Sequence, residues 1–185
     1  DTAGAVDFQG LATVGGALDV DTNENSAGVG GGEITDTGGQ LDITGTSTLD
    51  AETASVALDI AANDCVGAVT VTIVNDATVG YANAPALGAV ATASNLSVDT
   101  AGAVDFRGLA TVGGALDVDT IANGGAGGAI TDTGGPLAIT GTSTLDAGTA
   151  SITLDNAAND FVGAVTITNA NEATLDDANG LALGA

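Results

Sequence analysis

The sequence predicts an all-β protein folded as a parallel β-helix (a β-solenoid), in which each short strand stacks on its equivalent one turn later. Three observations lead to this prediction: a long tandem repeat, short segments in which apolar and polar residues alternate, and a supply of small aliphatic side chains. Hydrophobic residues make up 44% of the 185 residues, whereas aromatic residues make up only 2%. Solenoids bury a narrow core between neighbouring repeats, and Ala, Val, Leu and Ile suit it.

The repeat is nearly exact at its start. Residues 1–22 and 99–120 are identical except that Gln9 in the first copy is replaced by Arg107 in the second. The offset between the copies is 98 residues at first and 96 later, because the second copy is two residues shorter. Self-similarity of this kind is the sequence signature of repeat architectures.

We therefore divide the chain into a β-solenoid repeat unit 1 at residues 1–98 and a truncated unit 2 at residues 99–185, continuous with unit 1. The second copy has no counterpart of residues 90–98, so we expect the chain to be a window cut from a longer tandem array. The lack of an initiator Met and of a signal peptide is typical of an internal or processed segment.

Within each unit the apolar residues alternate with polar ones over about four residues, which predicts half-buried strands. Such segments begin in unit 1 at Leu18, Leu41, Val56, Val69 and Leu96, and in unit 2 at Leu116, Ile152 and Val165. Gly, Asn, Asp and Ser fill the intervening turns. The frequent glycines disfavour long helices.

The spacing of the apolar centres predicts the size of a turn. Ile34, Leu41, Leu49 and Val56 are seven or eight residues apart. Three such strands make a turn of about 20 residues, so that a unit would hold about five turns of stacked strands. The alternative that the pattern leaves open is an antiparallel β-sandwich built from each unit.

The charge of the chain excludes several functions. It carries 24 acidic residues and one basic residue, a formal net charge of −23, with no His and one Cys. Binding to nucleic acid by phosphate neutralisation needs Lys and Arg, and anionic membrane surfaces repel such a chain. One Cys forms neither an internal disulfide nor a zinc site. No apolar run has the length of a membrane span, so we expect no membrane insertion.

The phrases GGALDV, GGxLxITGTSTLDA and TASITLDNAANDFVGAVTI resemble the repeats of filamentous-haemagglutinin-like, two-partner-secreted adhesins and related giant bacterial surface proteins. The resemblance covers almost the whole chain. It implies a right-handed parallel β-helix exported across the outer membrane and displayed as a long extracellular fibre. The adhesive sites of that family are not standardised, so no functional residue is carried over.

This resemblance implies a non-enzymatic structural or adhesive segment of a large repetitive fibre, secreted or held at the bacterial cell surface. The expected partners are neighbouring repeats, or copies of the chain end to end in a filament, together with a host or surface glycan. We expect no catalytic residue and no cofactor other than calcium.

Calcium is the metal that the sequence could bind, because hard cations take several oxygen ligands. Alternation places successive carboxylates on one outer face of a strand. The candidate ligands are Asp19, Asp21, Asn23, Glu24, Asp117 and Asp119. A calcium-dependent binding module is therefore the alternative function, and a solvated acidic face that keeps a fibre soluble is the competing interpretation.

Two remoter functions are a polysaccharide-active enzyme and an ice-binding solenoid. The first would need clustered acids in a groove, and Asp176-Asp177 is the only adjacent acidic pair. The second would need Thr-x-Thr on every successive turn, and Thr70-Val71-Thr72 is one of few such segments. Cys65 occupies the position of Phe161 in the other copy, which predicts an apolar core site.

A stacked solenoid places equivalent carboxylates about 4.8 Å apart, where they repel each other. We predict that moving from about 0.01 M to about 0.5 M NaCl raises the melting temperature, because the screening length falls from about 30 Å to below about 10 Å. A thermal melt followed by circular dichroism measures this effect. An unchanged melting temperature would contradict the stacking of carboxylates in columns.

Overall fold

A computed structural model describes residues 2, 4–23 and 30–185. In this part of the chain the secondary structure consists of 22 strands, without a helix. The strands of the first copy are β1 (Val6–Asp7), β2 (Ala12–Val14), β3 (Leu18–Asp21), β4 (Ile34–Thr35), β5 (Leu41–Ile43), β6 (Ser47–Asp50), β7 (Val56–Leu58), β8 (Asp64–Cys65), β9 (Val69–Val74), β10 (Ala77–Tyr81), β11 (Ala86–Thr92) and β12 (Leu96–Thr100). Those of the second copy are β13 (Val104–Phe106), β14 (Ala110–Val112), β15 (Leu116–Asp119), β16 (Ile130–Thr131), β17 (Leu137–Ile139), β18 (Ser143–Asp146), β19 (Ser151–Leu154), β20 (Asp160–Phe161), β21 (Val165–Asn169) and β22 (Glu172–Leu175).

The strands stack in parallel sheets along a solenoid, which confirms the predicted fold class. The first sheet has the order β1-β4-β7-β10-β12-β15-β18-β21, so each strand in it marks the next turn of the coil. Every strand pairing in the described residues is parallel. This excludes the antiparallel sandwich.

The turns average about 22 residues, slightly more than the predicted 20. Two long turns account for much of the difference. Val6 pairs with Ile34 and Leu116 with Ser143, whereas Ala77 pairs with Leu96 only 19 residues later. Each long turn contains the long sequence between the Leu-Asp-Val-Asp strand of its copy and the next strand, which follows β3 in unit 1 and β15 in unit 2.

The apolar member of each alternating pair points into the solenoid, where it lies against the equivalent residue of the turns above and below. The predicted centres Ile34, Leu41, Leu49 and Val56 are at most 1% exposed. Burying a side chain of this size contributes about 1.5–3 kcal/mol. Because every turn adds only a few such residues, the core is continuous from turn to turn and no turn has a core of its own.

Glycine at the corners lets adjacent turns approach closely. Gly45 lies on Gly16 of the turn before it, and Gly67 lies on Gly45. A Cβ atom on Gly45 or Gly67 would collide with the backbone of the neighbouring turn. The Gly-rich composition therefore has a steric cause at these corners.

Strand β11 joins the two copies in an unusual way. Its first residues pair with β13 and its last residues with β14, while on its other side it pairs with the single strand β9. The register between β9 and β11 shifts twice, near Val90. One face of the first copy thus continues into two faces of the second.

The two copies use different residues at an equivalent left-handed corner. Glu52 has a φ of 50°, and its equivalent Gly148 has a φ of 57°. A side chain in this conformation brings Cβ too close to the following carbonyl oxygen, at a cost of roughly 1–2 kcal/mol. The second copy avoids this strain by using Gly.

We predict that Glu52→Gly stabilises the protein by about 1 kcal/mol, because it removes the left-handed strain. Chemical denaturation of the full chain measures the change in the free energy of unfolding. Glu52→Gln is the matched control, since it removes the same negative charge and keeps the side chain. If the Gln variant gained as much stability as the Gly variant, charge and not backbone strain would be the cause.

Candidate functional site

Carboxylates form a column on the outer face of the first sheet. Asp99 of β12 pairs with Asp119 of β15, which pairs with Asp146 of β18, and Asn169 of β21 follows in the same column. Parallel strands are about 4.8 Å apart, so these side chains project side by side. The structure thus confirms that equivalent acids stack on successive turns.

This arrangement opposes ionisation. Burial raises the pKa of Asp99 above its usual 3.8, and the negative charges of Asp117, Asp119 and Asp59 raise it further. The pKa of Asp117 is raised by burial first and then by the charge of Asp119. Like charges in close proximity disfavour the charged forms of Asp99 and Asp117.

The last carboxylate of the Leu-Asp-Val-Asp strands also has a structural role. Asp119 Oδ1 accepts a hydrogen bond from the backbone N–H of Ile121 at 2.8 Å, and Asp21 Oδ1 accepts one from the N–H of Asn23 at 2.7 Å. Asp146 does the same for the N–H of Gly148. Aspartate side chains commonly bind backbone two residues on, which starts a turn. These residues therefore end the strand and hold the corner that follows.

The calcium candidates are divided between two faces. Asp19 and Asp21 lie on β3 and pair with Thr48 and Asp50, whereas Asp117 and Asp119 lie on β15 and pair with Thr144 and Asp146. Asn23 contributes its backbone N–H to Asp21, and Glu24 lies outside the described residues. Within residues 2, 4–23 and 30–185, no three His, Cys, Asp or Glu side chains gather as a metal site would require.

A second set of carboxylates is clamped by hydroxyl groups of the next turn. The Oγ1 and backbone N of Thr37 both donate to Asp7, at 2.9 Å and 3.0 Å from Oδ1, and Thr35 Oγ1 lies 3.1 Å away. These bonds, led by the Thr37 hydroxyl, lower the pKa of Asp7 below its usual value. The clamp ties the first turn to the second from the outside.

The second copy builds the same clamp around Asp105. Thr133 and Thr131 donate to its Oδ1 at 2.8 Å and 3.0 Å. Burial acts to raise the pKa of Asp105, but the bonds from Arg107, Thr133 and Thr131 outweigh it and the pKa is lowered.

The one substitution in the 22-residue block preserves this clamp. Gln9 Nε2 donates to Asp7 at 3.1 Å, and Arg107 Nε donates to Asp105 at 2.8 Å. The Arg107 side chain is 61% exposed, so the ion pair contributes at most about 1 kcal/mol. Gln9 and Arg107 are therefore equivalent in what they bind.

A buried Asp–Asn pair joins the inner side of successive turns. Asn63 Nδ2 donates to Asp36 Oδ2 at 2.7 Å, and Asn63 Oδ1 accepts from the backbone N–H of Leu41 at 2.9 Å. Asp36 is 1% exposed and Asn63 is fully buried. Asp132 and Asn159 repeat this pair in the second copy with a distance of 2.7 Å. Buried polar groups require such partners, so the pair fixes where the turns meet.

Neither the clamps nor the buried pair was predicted from the sequence. The available signal was repetition: Asp7, Asp36 and Asn63 each recur at the equivalent position of the second copy. That signal does not separate them from the many other residues that also recur, since the copies are so alike.

Cys65 is 3% exposed, which confirms the predicted core site. Burial raises the pKa of its thiol to about 11, and the negative charges of Asp64 and Asp42 add to this. Tyr81 is also buried at 1% exposure and lies near enough for the Cys65 charge to raise its pKa, which burial already places well above the usual value. The second copy has Phe161 and Asp177 at these two positions.

The remoter candidates occupy ordinary positions. Asp177 accepts hydrogen bonds from the backbone N–H groups of Phe161 and Gly180, at 2.9 Å and 2.7 Å, so it holds a corner. Thr70 and Thr72 stack on Thr48 and Asp50 of the preceding turn, so the Thr-x-Thr pattern is not continued there. This stacking does not favour ice binding.

We predict that Cys65→Phe destabilises the protein by about 1–3 kcal/mol, because Tyr81 already fills the neighbouring core space. Adding Tyr81→Asp should restore most of the lost stability, since Phe and Asp are the combination in the second copy. Denaturant unfolding of both variants measures this coupling. Equal losses in the single and the double variant would show that the two side chains do not share one space.

We predict a melting temperature that passes through a maximum as the pH falls from neutral. Asp99 and Asp117, with raised pKa values, take up protons in the folded state first, so stability rises as the pH falls towards 3.8. Asp7 and Asp105 have lowered pKa values, so their stabilisation is complete above about pH 3.8 and is lost below it.

Asp99→Asn tests this account, since it should raise the melting temperature at pH 7 and flatten the rise between pH 7 and pH 4. Asp155→Asn, at an exposed position, is the control for the loss of one negative charge. Melts of both variants across this pH range measure the difference. If both variants gave the same dependence of melting temperature on pH, the loss of net charge and not the carboxylate column would explain the change.

Within the described residues, no helix has the length and apolar character that crossing a membrane would demand.

Comparison with known proteins gave one family. Neither the curated proteins nor the solved structures gave a match. A family model described as "Repeats of unknown function (DUF5649)" matches residues 1–72 and 121–168, more than half of the chain. The chain therefore belongs to this family of repeats.

Proposed function

We propose that the chain is a non-enzymatic structural or adhesive segment of a large repetitive extracellular fibre. The observation that carries this proposal is how one repeat completes another. Val104 and Phe106 of the second copy are fully buried, whereas their equivalents Val6 and Phe8, in the first turn, are only partly buried. The difference arises because the turn containing β11 and β12 packs beneath the second copy.

A repeat of this kind gains its stability from its neighbour, as is expected for a segment of a continuous rod. Hydrogen-bonded strand ladders run along the sheets, the Asp7 and Asp105 clamps tie turns together outside, and the Asp36–Asn63 pair ties them inside. Load applied along the axis would be shared by all of these contacts. At about 4.8 Å per turn, the four turns from β1 to β12 lengthen the rod by about 19 Å.

The extracellular part of the proposal rests on the resemblance to filamentous-haemagglutinin-like repeats. The net charge of −23 also suits a fibre exposed to solvent, because like-charged copies do not aggregate readily. The outward-facing Asp and Thr side chains are hydrogen-bonding groups that a glycan could meet. Neighbouring repeats are the first partners, and a host or surface glycan is the second.

Cooperative unfolding across both copies tests the structural role. Leu96 lies between Ala77 and Leu116 at the junction, and it is 1% exposed. Leu96→Ala should cost about 2–5 kcal/mol and weaken hydrogen-exchange protection in both copies. Leu137→Ala, inside the second copy, is the matched control. Two separate unfolding transitions in the parent chain would contradict a continuous rod.

A calcium-dependent binding module is the second candidate. The column of Asp99, Asp119 and Asp146 supplies carboxylate oxygens, although no three such side chains in the described residues gather as a metal site would require. A melt in millimolar calcium and in chelator separates the two functions. A rise of only a degree or two is expected for a spacer whose charges are screened. A large rise that magnesium does not reproduce would favour the binding module.

A further inference from the structure

The two copies, although nearly identical, do not use the same faces of the solenoid. The first strand of unit 1, β1, belongs to the first sheet. Its equivalent β13 pairs with β11 and β16 in a second, 11-stranded sheet, which also contains β3, β6 and β9. The first sheet continues instead through β15, β18 and β21, which are the equivalents of β3, β6 and β9. Those three strands of unit 1 lie on a different sheet.

Counting turns gives the size of the displacement. From Val6 the first sheet runs through Ile34, Val56 and Ala77 to Leu96, which is four complete turns. Val104, the equivalent of Val6, comes eight residues later and lies on the next face. A turn has three strand positions, as in β4, β5 and β6, and therefore three faces. One repeat thus occupies four turns and a third, and not the five turns that the sequence predicted.

The extra third of a turn comes from β11. This strand of seven residues pairs with the single strand β9 on one side and with both β13 and β14 on the other. It therefore supplies two strand positions. With β11 counted twice, a repeat contributes thirteen strand positions. Twelve of them fill four turns of three faces, and the thirteenth moves the next copy to the next face.

We infer that the repeats present each surface feature in turn on three sides of the solenoid, rotated by about a third of a turn from copy to copy. The clamp around Asp7 lies on the first sheet, and the same clamp around Asp105 lies on the second. A rigid, flat partner that recognises this surface meets it on one copy at a time. Two such partners bind on different sides.

In a longer array of the same repeat, equivalent surfaces return to one side after every third copy. Thirteen turns at about 4.8 Å give a spacing of about 62 Å along that side. Use of this geometry for display rests on the proposed structural function, but the rotation itself does not.

Distances between spin labels test the rotation in the full chain. Thr35 and Thr144 lie on the first sheet five turns apart, whereas Thr131, the equivalent of Thr35, lies on the second sheet. The variants are Thr35→Cys with Thr144→Cys, and Thr35→Cys with Thr131→Cys. Cys65 is buried with a thiol pKa of about 11, so it stays unlabelled, and the labelled parent chain checks this.

The 35–144 pair should give a distance of about 24 Å, five turns along one face. The 35–131 pair should be longer, although it is separated by fewer residues, because it also spans two faces. The reverse order would place equivalent residues in line and overturn the inference.

A second set of variants, Ala57→Cys with Thr166→Cys or with Thr153→Cys, repeats the comparison if the first set does not fold. The same order is expected, with 57–153 the longer distance, and the reverse order again overturns the inference. These distances do not depend on cooperative unfolding. The rotation stands or falls separately from the rod function.

Discussion

The narrow core shared between turns is the constraint on which the rest of the structure depends. A strand of three or four residues offers one or two inward side chains, which cannot form a core without the strands above and below. Every turn must therefore match its neighbours in register, and the polar groups at the corners must be satisfied where turns meet. The buried Asp36–Asn63 and Asp132–Asn159 pairs satisfy this requirement at equivalent corners of both copies.

The same stacking that builds the core gathers negative charge outside it, and the fold uses carboxylates in two opposite ways. Asp7 and Asp105 receive hydroxyl and amide donors from the next turn, so their charged forms are favoured. Asp99 and Asp117 are partly buried and lie near other carboxylates, so their charged forms are disfavoured. The difference lies in burial and in whether hydrogen-bond donors or other carboxylates surround each side chain. In the second clamp Arg107 also contributes, although the exposed pair with Asp105 is weak.

Sequence periodicity predicted the strands well because inward and outward residues alternate along them, as at Leu18–Asp21 and Leu96–Asp99. It also placed Cys65 in the core, since Phe161 replaces it. It could not predict the clamp around Asp7, because Thr35 and Thr37 come from the following turn and the length of that turn was unknown. Because the turn length was unknown, the sequence predicted five turns per repeat. The calcium candidates were grouped because they occupy equivalent positions of the sequence, although β3 and β15 lie on different faces.

Two nearly identical blocks of sequence can lie on different faces because the local rules of a solenoid strand do not specify a face. Residues 1–22 and 99–120 require an apolar interior, a glycine corner and a threonine donor one turn later, and each face supplies these. Which face a block occupies is decided by the number of strand positions that precede it, and so by β11. A repeat with twelve strand positions would stay in line, and one with thirteen rotates. The irregular register at β11 therefore determines the direction in which each later copy presents its surface.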